Sequence, residues 1–103
     1  MPIAPFTQKV IDTILSIPKG RVTSYGAVAA LAGSPRAARQ VVRILHSSSR
    51  KHGLPWHRVV NKQGRISLAQ HQGFARQKEL LEMEGVEVSP EGQIDMKLFG
   101  WSG

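Results

Sequence analysis

Apolar residues recur at helical spacing from the start of the chain. Phe6, Val10, Ile14 and Ile17 fall three or four apart, and Ile11 and Leu15 widen the stripe. This predicts an amphipathic helix over residues 5–17, ended by Pro18 and Gly20. Ser24 stands where an N-cap belongs, ahead of an alanine-rich helix from Tyr25 to Ala32 that Gly33 closes. Ser34-Pro35 predicts the immediate start of a third helix, with serine as cap and proline at the first helical position, where its missing N–H does no harm. That helix buries Val41, Val42, Ile44 and Leu45 and carries Arg36, Arg39 and Arg43 on another face, while Ala37 and Ala38 keep its leading turn slim. Two helices around a short glycine-containing turn form a helix-turn-helix pattern.

The apolar period stops at residues 46–54, predicting a polar loop through Ser47-Ser48-Ser49. Arg58-Val59-Val60, the turn Asn61–Gly64 and Arg65-Ile66-Ser67 then read as a short hairpin or wing. Residues 73–84 return to helix, with Phe74, Gln77, Leu80, Leu81 and Glu84 along one flank and Gly85 at the end. Val86–Val88, a turn at Ser89–Gly92, and Gln93–Met96 predict a second hairpin, with Phe99 and Trp101 pinning the tail to the core. The expected fold is α+β, mostly α: one winged helix-turn-helix domain over residues 1–103, with short β hairpins.

Composition agrees with a modest globular core, at 103 residues and 41% hydrophobic content. Charge changes the picture more. Between Thr13 and Lys78 there are twelve basic residues and no Asp or Glu. A 66-residue block of one sign points to nucleic-acid phosphate, with a generally basic or ribosome-associated protein as the alternative. The helix bearing Arg36, Arg39 and Arg43 is the expected DNA-facing element. Cysteine is absent, which excludes disulfides, thiolate metal sites and thiol catalysis. His46, His52 and His71 lack metal-site spacing, so no metal or other cofactor is expected. With no export signal and no membrane-length apolar run, the expectation is a cytoplasmic monomer without a membrane partner, nucleoid-associated in a prokaryote.

Pro55-Trp56-His57-Arg58-Val59 resembles the Pro-Cys-His-Arg-Val signature of the O6-alkylguanine-DNA alkyltransferases, with Trp56 in the cysteine's place. The likeness runs in order along nearly the whole chain. Thr23-Ser24-Tyr25-Gly26 with Ala29–Gly33 is similar to the family's first DNA helix, Pro35–Arg39 to its recognition helix, and Leu80–Gly85 to the helix that supplies a glutamate. Replacement of the cysteine by tryptophan marks the alkyltransferase-like subgroup. Departures fall at Ser48 and Ser49, where the enzymes have a hinge asparagine and a proline, and near Gln70-His71, where they have a tyrosine-serine pair over the alkyl pocket.

The resemblance implies a DNA-damage recognition protein with no catalytic residue. An indole has no lone pair for alkyl displacement, and its ring N–H only donates. Arg39 would enter the duplex where a damaged guanine rotates out, and Tyr25 would crowd the 3′ phosphate and contact the base. Trp56 and Val59 would offer backbone carbonyls to the guanine edge, with the indole lining the alkyl pocket. Ser24, Arg36, Ala37, Ala38 and Arg43 complete the implied DNA-facing set, and His57 and Glu84 are the remnant of the network that activates the missing cysteine. The implied partners are double-stranded DNA containing O6-alkylguanine and nucleotide excision repair proteins. Two other classes remain open: a winged-helix regulator reading a defined site, and a glycosylase-type enzyme using Glu84 or Asp12 with a histidine.

Overall fold

A computed structural model describes residues 3–103. Pro5 opens α1 (Pro5–Leu15), whose Val10, Ile11 and Ile14 are buried, with Ile17 just beyond its end. Ser24 ends the two-residue strand β1 (Thr23–Ser24) and caps α2 (Tyr25–Leu31), its hydroxyl accepting the Ala27 N–H at 3.1 Å. The third helix, α3 (Ala38–His52), differs from expectation at both ends. Ser34 and Pro35 belong to a turn closed by the Ala37 N–H on the Ser34 carbonyl, so Arg36 precedes the helix and Ala37 is its uncapped N-cap. At the other end the helix continues through Ser47-Ser48-Ser49, because Val41 and Ile44 already anchor it in the core and its later turns remain hydrogen-bonded while solvated. It stops at Gly53, which takes the left-handed conformation (φ 62°) and turns the chain back toward Pro55.

The signature therefore leaves α3 through a tight turn. Trp56–Arg58 form one turn of 3₁₀ helix, and β2 (Val59–Val60) follows at once. It pairs in parallel with β1, Thr23 opposite Val59 and Ser24 opposite Val60, and not with Arg65–Ser67 as the hairpin reading supposed. The chain does reverse at Asn61–Arg65, but Arg65 bridges Gln93 and the Ile66 N–H bonds the Gly92 carbonyl. The wing is thus built from two turns leaning on each other. A second 3₁₀ turn (Gln70–Gln72) leads into α4 (Phe74–Met83), and Met96, read as the end of a strand, instead opens the short helix α5 (Met96–Phe99) capped by Asp95.

Two apolar clusters flank the parallel strands. One joins α1, α2 and α3 with Leu54 and Val59; the other joins Val22, Val60, Ile66, Leu81, Val86 and Ile94. Val59 and Val60 face opposite clusters because successive strand side chains alternate. Val22 accepts the Trp101 N–H and donates to the Phe99 carbonyl, both at 2.8 Å, so Phe99 and Trp101 do pin the tail. Ile14, with no exposed surface, represents the first cluster; truncating it to alanine costs roughly 2–5 kcal/mol. The fold is α+β, mostly α, in the winged helix-turn-helix manner. Among the described residues, no helix is long and apolar enough to cross a membrane.

Candidate nucleic-acid interface

The signature turn is clamped from beneath by two side chains. Glu84, the C-cap of α4, accepts the His57 Nε2 hydrogen bond at 2.8 Å and an Arg58 guanidinium fork at 2.9 and 2.7 Å. The Gly20 N–H adds a fourth bond at 3.2 Å, and Arg58 also donates to the Ile17 carbonyl at 2.8 Å. Burial alone would raise the Glu84 pKa, but the bonds from Arg58, His57 and Gly20 outweigh it and lower the value from 4.5 to about 2. Gln77 is the second clamp. It is 2% exposed, and its amide nitrogen donates to the His57 and Val59 carbonyls, each at 3.1 Å.

Above this turn lies a cavity of about 540 Å³, within the size range of small-molecule sites. Tyr25, Trp56 and Val59 line it, bringing together three residues singled out in the sequence. The Tyr25 hydroxyl is held at 3.0 Å by that of Ser67, and the Trp56 ring meets His57 edge-on at 6.1 Å. The Val59 carbonyl takes a Gln77 hydrogen, and the Trp56 carbonyl takes the Val59 N–H, so each keeps one lone pair in reserve.

Several lining residues escaped the sequence reading. Leu45, His46, Ser49 and Arg50 enter from α3, because this helix runs on through the expected loop; Leu68, Gln72 and Gln77 close the far side. Extending the Arg39–Arg43 face by helical spacing reaches His46 and Arg50 and would have found them. Gln77 had its own signal, a polar residue inside an apolar flank. The buried Ser49 hydroxyl has no hydrogen-bond partner, so no base is placed to activate it as a nucleophile.

Arg39 and Arg43 are exposed in the first turns of α3, one turn before and one residue after Val42, which lines the cavity. Neither lines it. Arg36 is exposed in the preceding turn, whereas Ala37 packs partly against the first core cluster and Ala38 is half-buried. Ser24 spends its hydroxyl on the helix cap. Not all of the basic block is free. Arg58, Arg76 and Lys78 pair with Glu84, Glu79 and Glu82, while Arg36, Arg39, Arg43, Arg50 and Lys51 have no carboxylate partner among the described residues. Lys19, Arg21, Lys62 and Arg65 also lie outside these pairs, so α3 and the turn before it carry five of the block's nine unpaired cations. Asp12 lies on α1, bonded by Gln8, outside the cavity lining. A larger open groove of about 750 Å³ runs along Lys62, Val88 and the Gln93–Phe99 segment and contains none of the signature residues.

Residues 5–86 match the family model described as "6-O-methylguanine DNA methyltransferase, DNA binding domain". The chain is 50% identical over 97 residues to the "DNA base-flipping protein" of Escherichia coli, covering 94% of this chain and 74% of that one. It is 43% identical over 84 residues to "Alkyltransferase-like protein 1" of Schizosaccharomyces pombe, covering 81% and 78%. Its structure superposes on that of S. pombe Atl1 in complex with damaged DNA containing O6-carboxymethylguanine, with a TM-score of 0.85, 36% identity and both chains covered completely. With this match spanning the helix-turn-helix, the signature turn and the glutamate helix, the chain belongs to the family of the O6-methylguanine-DNA methyltransferase DNA-binding domain, as an alkyltransferase-like member with Trp56 at the signature position.

Proposed function

We propose that the protein recognises O6-alkylguanine in duplex DNA by rotating the base into the cavity beside Trp56, leaves the alkyl group in place, and marks the site for nucleotide excision repair. The observation that carries this reading is the cavity itself, walled by an indole on a turn that Glu84 and Gln77 clamp, with unpaired arginines on the adjoining helix. The names and bound DNA of the related proteins support the same direction.

Each part of the process has a residue suited to it. Arg36, Arg39 and Arg43, with the Ser24 end of α2 and the small Ala37-Ala38 step, form the face that meets the backbone; phosphate contacts supply affinity without reading sequence. Arg39 fills the space the base vacates. Base extrusion costs a few kcal/mol, less at a damaged pair, and the inserted guanidinium, the Tyr25 contact and stacking on Trp56 offset it. The alkyl group stays because the cavity holds no thiolate and its one buried hydroxyl, on Ser49, has no base. Glu84 does not serve as a glycosylase acid or base, since four hydrogen bonds hold it ionised. A monomer suffices, and a lesion held open without reaction is a lasting mark for repair proteins.

The test of the chemistry is mass analysis of protein and DNA after prolonged incubation with a duplex carrying O6-methylguanine. The methyl group stays on the DNA and the protein mass is unchanged. A protein heavier by one methyl, or free modified base, would overturn the reading.

A further inference from the structure

Residues 86–96 have the sequence of a hairpin, yet only the closed end forms one. There the Gly92 N–H bonds the Ser89 carbonyl at 2.9 Å and the Ser89 N–H bonds the Gln93 carbonyl at 3.0 Å. An antiparallel ladder would next join Glu87 to Asp95. Instead the Asp95 carbonyl accepts the Leu98 and Phe99 N–H groups of α5, and the Ile94 N–H turns to the Gly64 carbonyl. Among the described residues, the backbone groups of Glu87 and Val88 and the Asp95 N–H have no hydrogen-bond partner within the protein. Both arms keep the alternation of a strand: Val86 and Ile94 are buried, while Glu87, Gln93 and Asp95 are exposed. The open groove of about 750 Å³ is lined by both arms, and by Leu98, which is 59% exposed. Lys62 and Lys97 also line it without a carboxylate partner among the described residues, and Arg21 donates to the Leu98 carbonyl at 2.9 Å. Against these three cations stand Glu87 and Asp95, and the Asp95 carboxylate already accepts the Lys97 N–H as the cap of α5.

We infer that this groove docks an extended segment of a partner protein, which adds as a strand along Glu87-Val88 and places an acidic residue beside Lys97. In such additions the main-chain bonds supply affinity, and alternate side chains supply selectivity. Here the free backbone groups of Glu87 and Val88 are the template, Val88, Met96 and Leu98 take the apolar side chains, and the excess of cations selects the acidic one. Nucleic acid fits the groove less well, because its phosphates would lie against the Glu87 carboxylate and the Leu98 side chain. The groove shares no lining residue with the cavity beside Trp56, so the two can be filled together, and the inference does not depend on what the cavity binds.

The experiment selects random heptapeptides displayed on phage against the whole chain, then studies the recovered peptides by titration and amide hydrogen exchange. The selected peptides carry apolar residues at alternate positions and an acidic residue, and they slow exchange at the Glu87 and Val88 amides. Leu98→Asp and Lys97→Glu, both at exposed side chains, keep the thermal midpoint, and each weakens peptide binding about tenfold. Lys97→Arg retains it. Failure to enrich any peptide overturns the inference, as do peptides that bind both variants unchanged or leave exchange at Glu87 and Val88 unaltered. Two other occupants give their own results, and either one overturns it. If a second copy covers the groove, the protein sediments as a dimer that Leu98→Asp makes monomeric. If nucleic acid fills it, Lys97→Glu weakens binding to undamaged duplex DNA and the duplex displaces the peptide.

Discussion

In the proposed function, Trp56 carries the difference between holding a damaged base and reacting with it. Its ring lines the cavity, and the turn beneath it is fixed. Trp56→Ala is expected to weaken binding to O6-methylguanine DNA by roughly 1–3 kcal/mol, the usual worth of a base stacked on an aromatic ring, with little effect on undamaged DNA. Equal losses on both DNAs in a titration would show that the indole only supports the turn. Glu84 is a structural residue by the same geometry. Its carboxyl titrates near 2 in the folded chain against an ordinary 4.5, so its contribution to stability is complete above about 4.5 and is lost as pH falls toward 2. Thermal midpoints measured across that window should fall steeply, and Glu84→Gln should flatten this part of the profile. At neutral pH, Glu84→Ala strands the mostly buried Arg58 and is expected to cost about 3 kcal/mol; an unchanged midpoint would contradict the clamp.

α3 decides how the interface is assembled, and its ends were the least legible part of the chain. The stripe of Val41 and Ile44 gave its middle correctly, and helical spacing likewise gave α1, α2 and α4. Its start was misplaced because Ser34-Pro35 has the chemistry of a helix N-terminus, whereas here it forms a separate turn. Its end was misplaced because a solvated last turn needs no apolar residue once the preceding turns are packed. The continuous helix makes a definite prediction. Ser49→Pro removes a helical N–H and crowds the preceding turn, at a cost of roughly 3 kcal/mol or more, visible as lost midpoint and lost helical circular dichroism. Near-neutral behaviour would return residues 46–54 to a loop. The β pairings were illegible for a related reason: two-residue strands carry no period, and whether Val59-Val60 joins Thr23-Ser24 or Arg65-Ile66 depends on tertiary packing. In the site, the motif led to Tyr25, Trp56 and Val59. Gln77, His46 and Arg50 lie outside the motif; helical spacing and a polar residue in an apolar flank are their sequence signals, and it is folding that brings α3 and α4 to the same cavity.

The distribution of charge over the molecule turns a basic composition into a directed surface. Three cations of the basic block are held by glutamates, and five of the nine others sit on α3 or the turn before it, the set proposed to meet phosphate. Replacing Arg43 by alanine should weaken binding to damaged and undamaged DNA alike and reduce the slope of log affinity against log salt by about one unit. Replacing Arg39 should act differently, with a much larger loss on O6-methylguanine DNA than on guanine DNA, because its proposed part is to occupy the vacated stack. Parallel losses in the two titrations would make Arg39 an ordinary phosphate contact. The central claim, that this surface and cavity together select a damaged base, is tested most directly by titrating the protein against two duplexes at fixed salt, identical except for a central guanine or O6-methylguanine. The account predicts at least about tenfold tighter binding to the methylated duplex, a difference of ~1.4 kcal/mol. Equal affinities would contradict it and leave a basic winged helix-turn-helix protein that binds DNA without regard to the lesion.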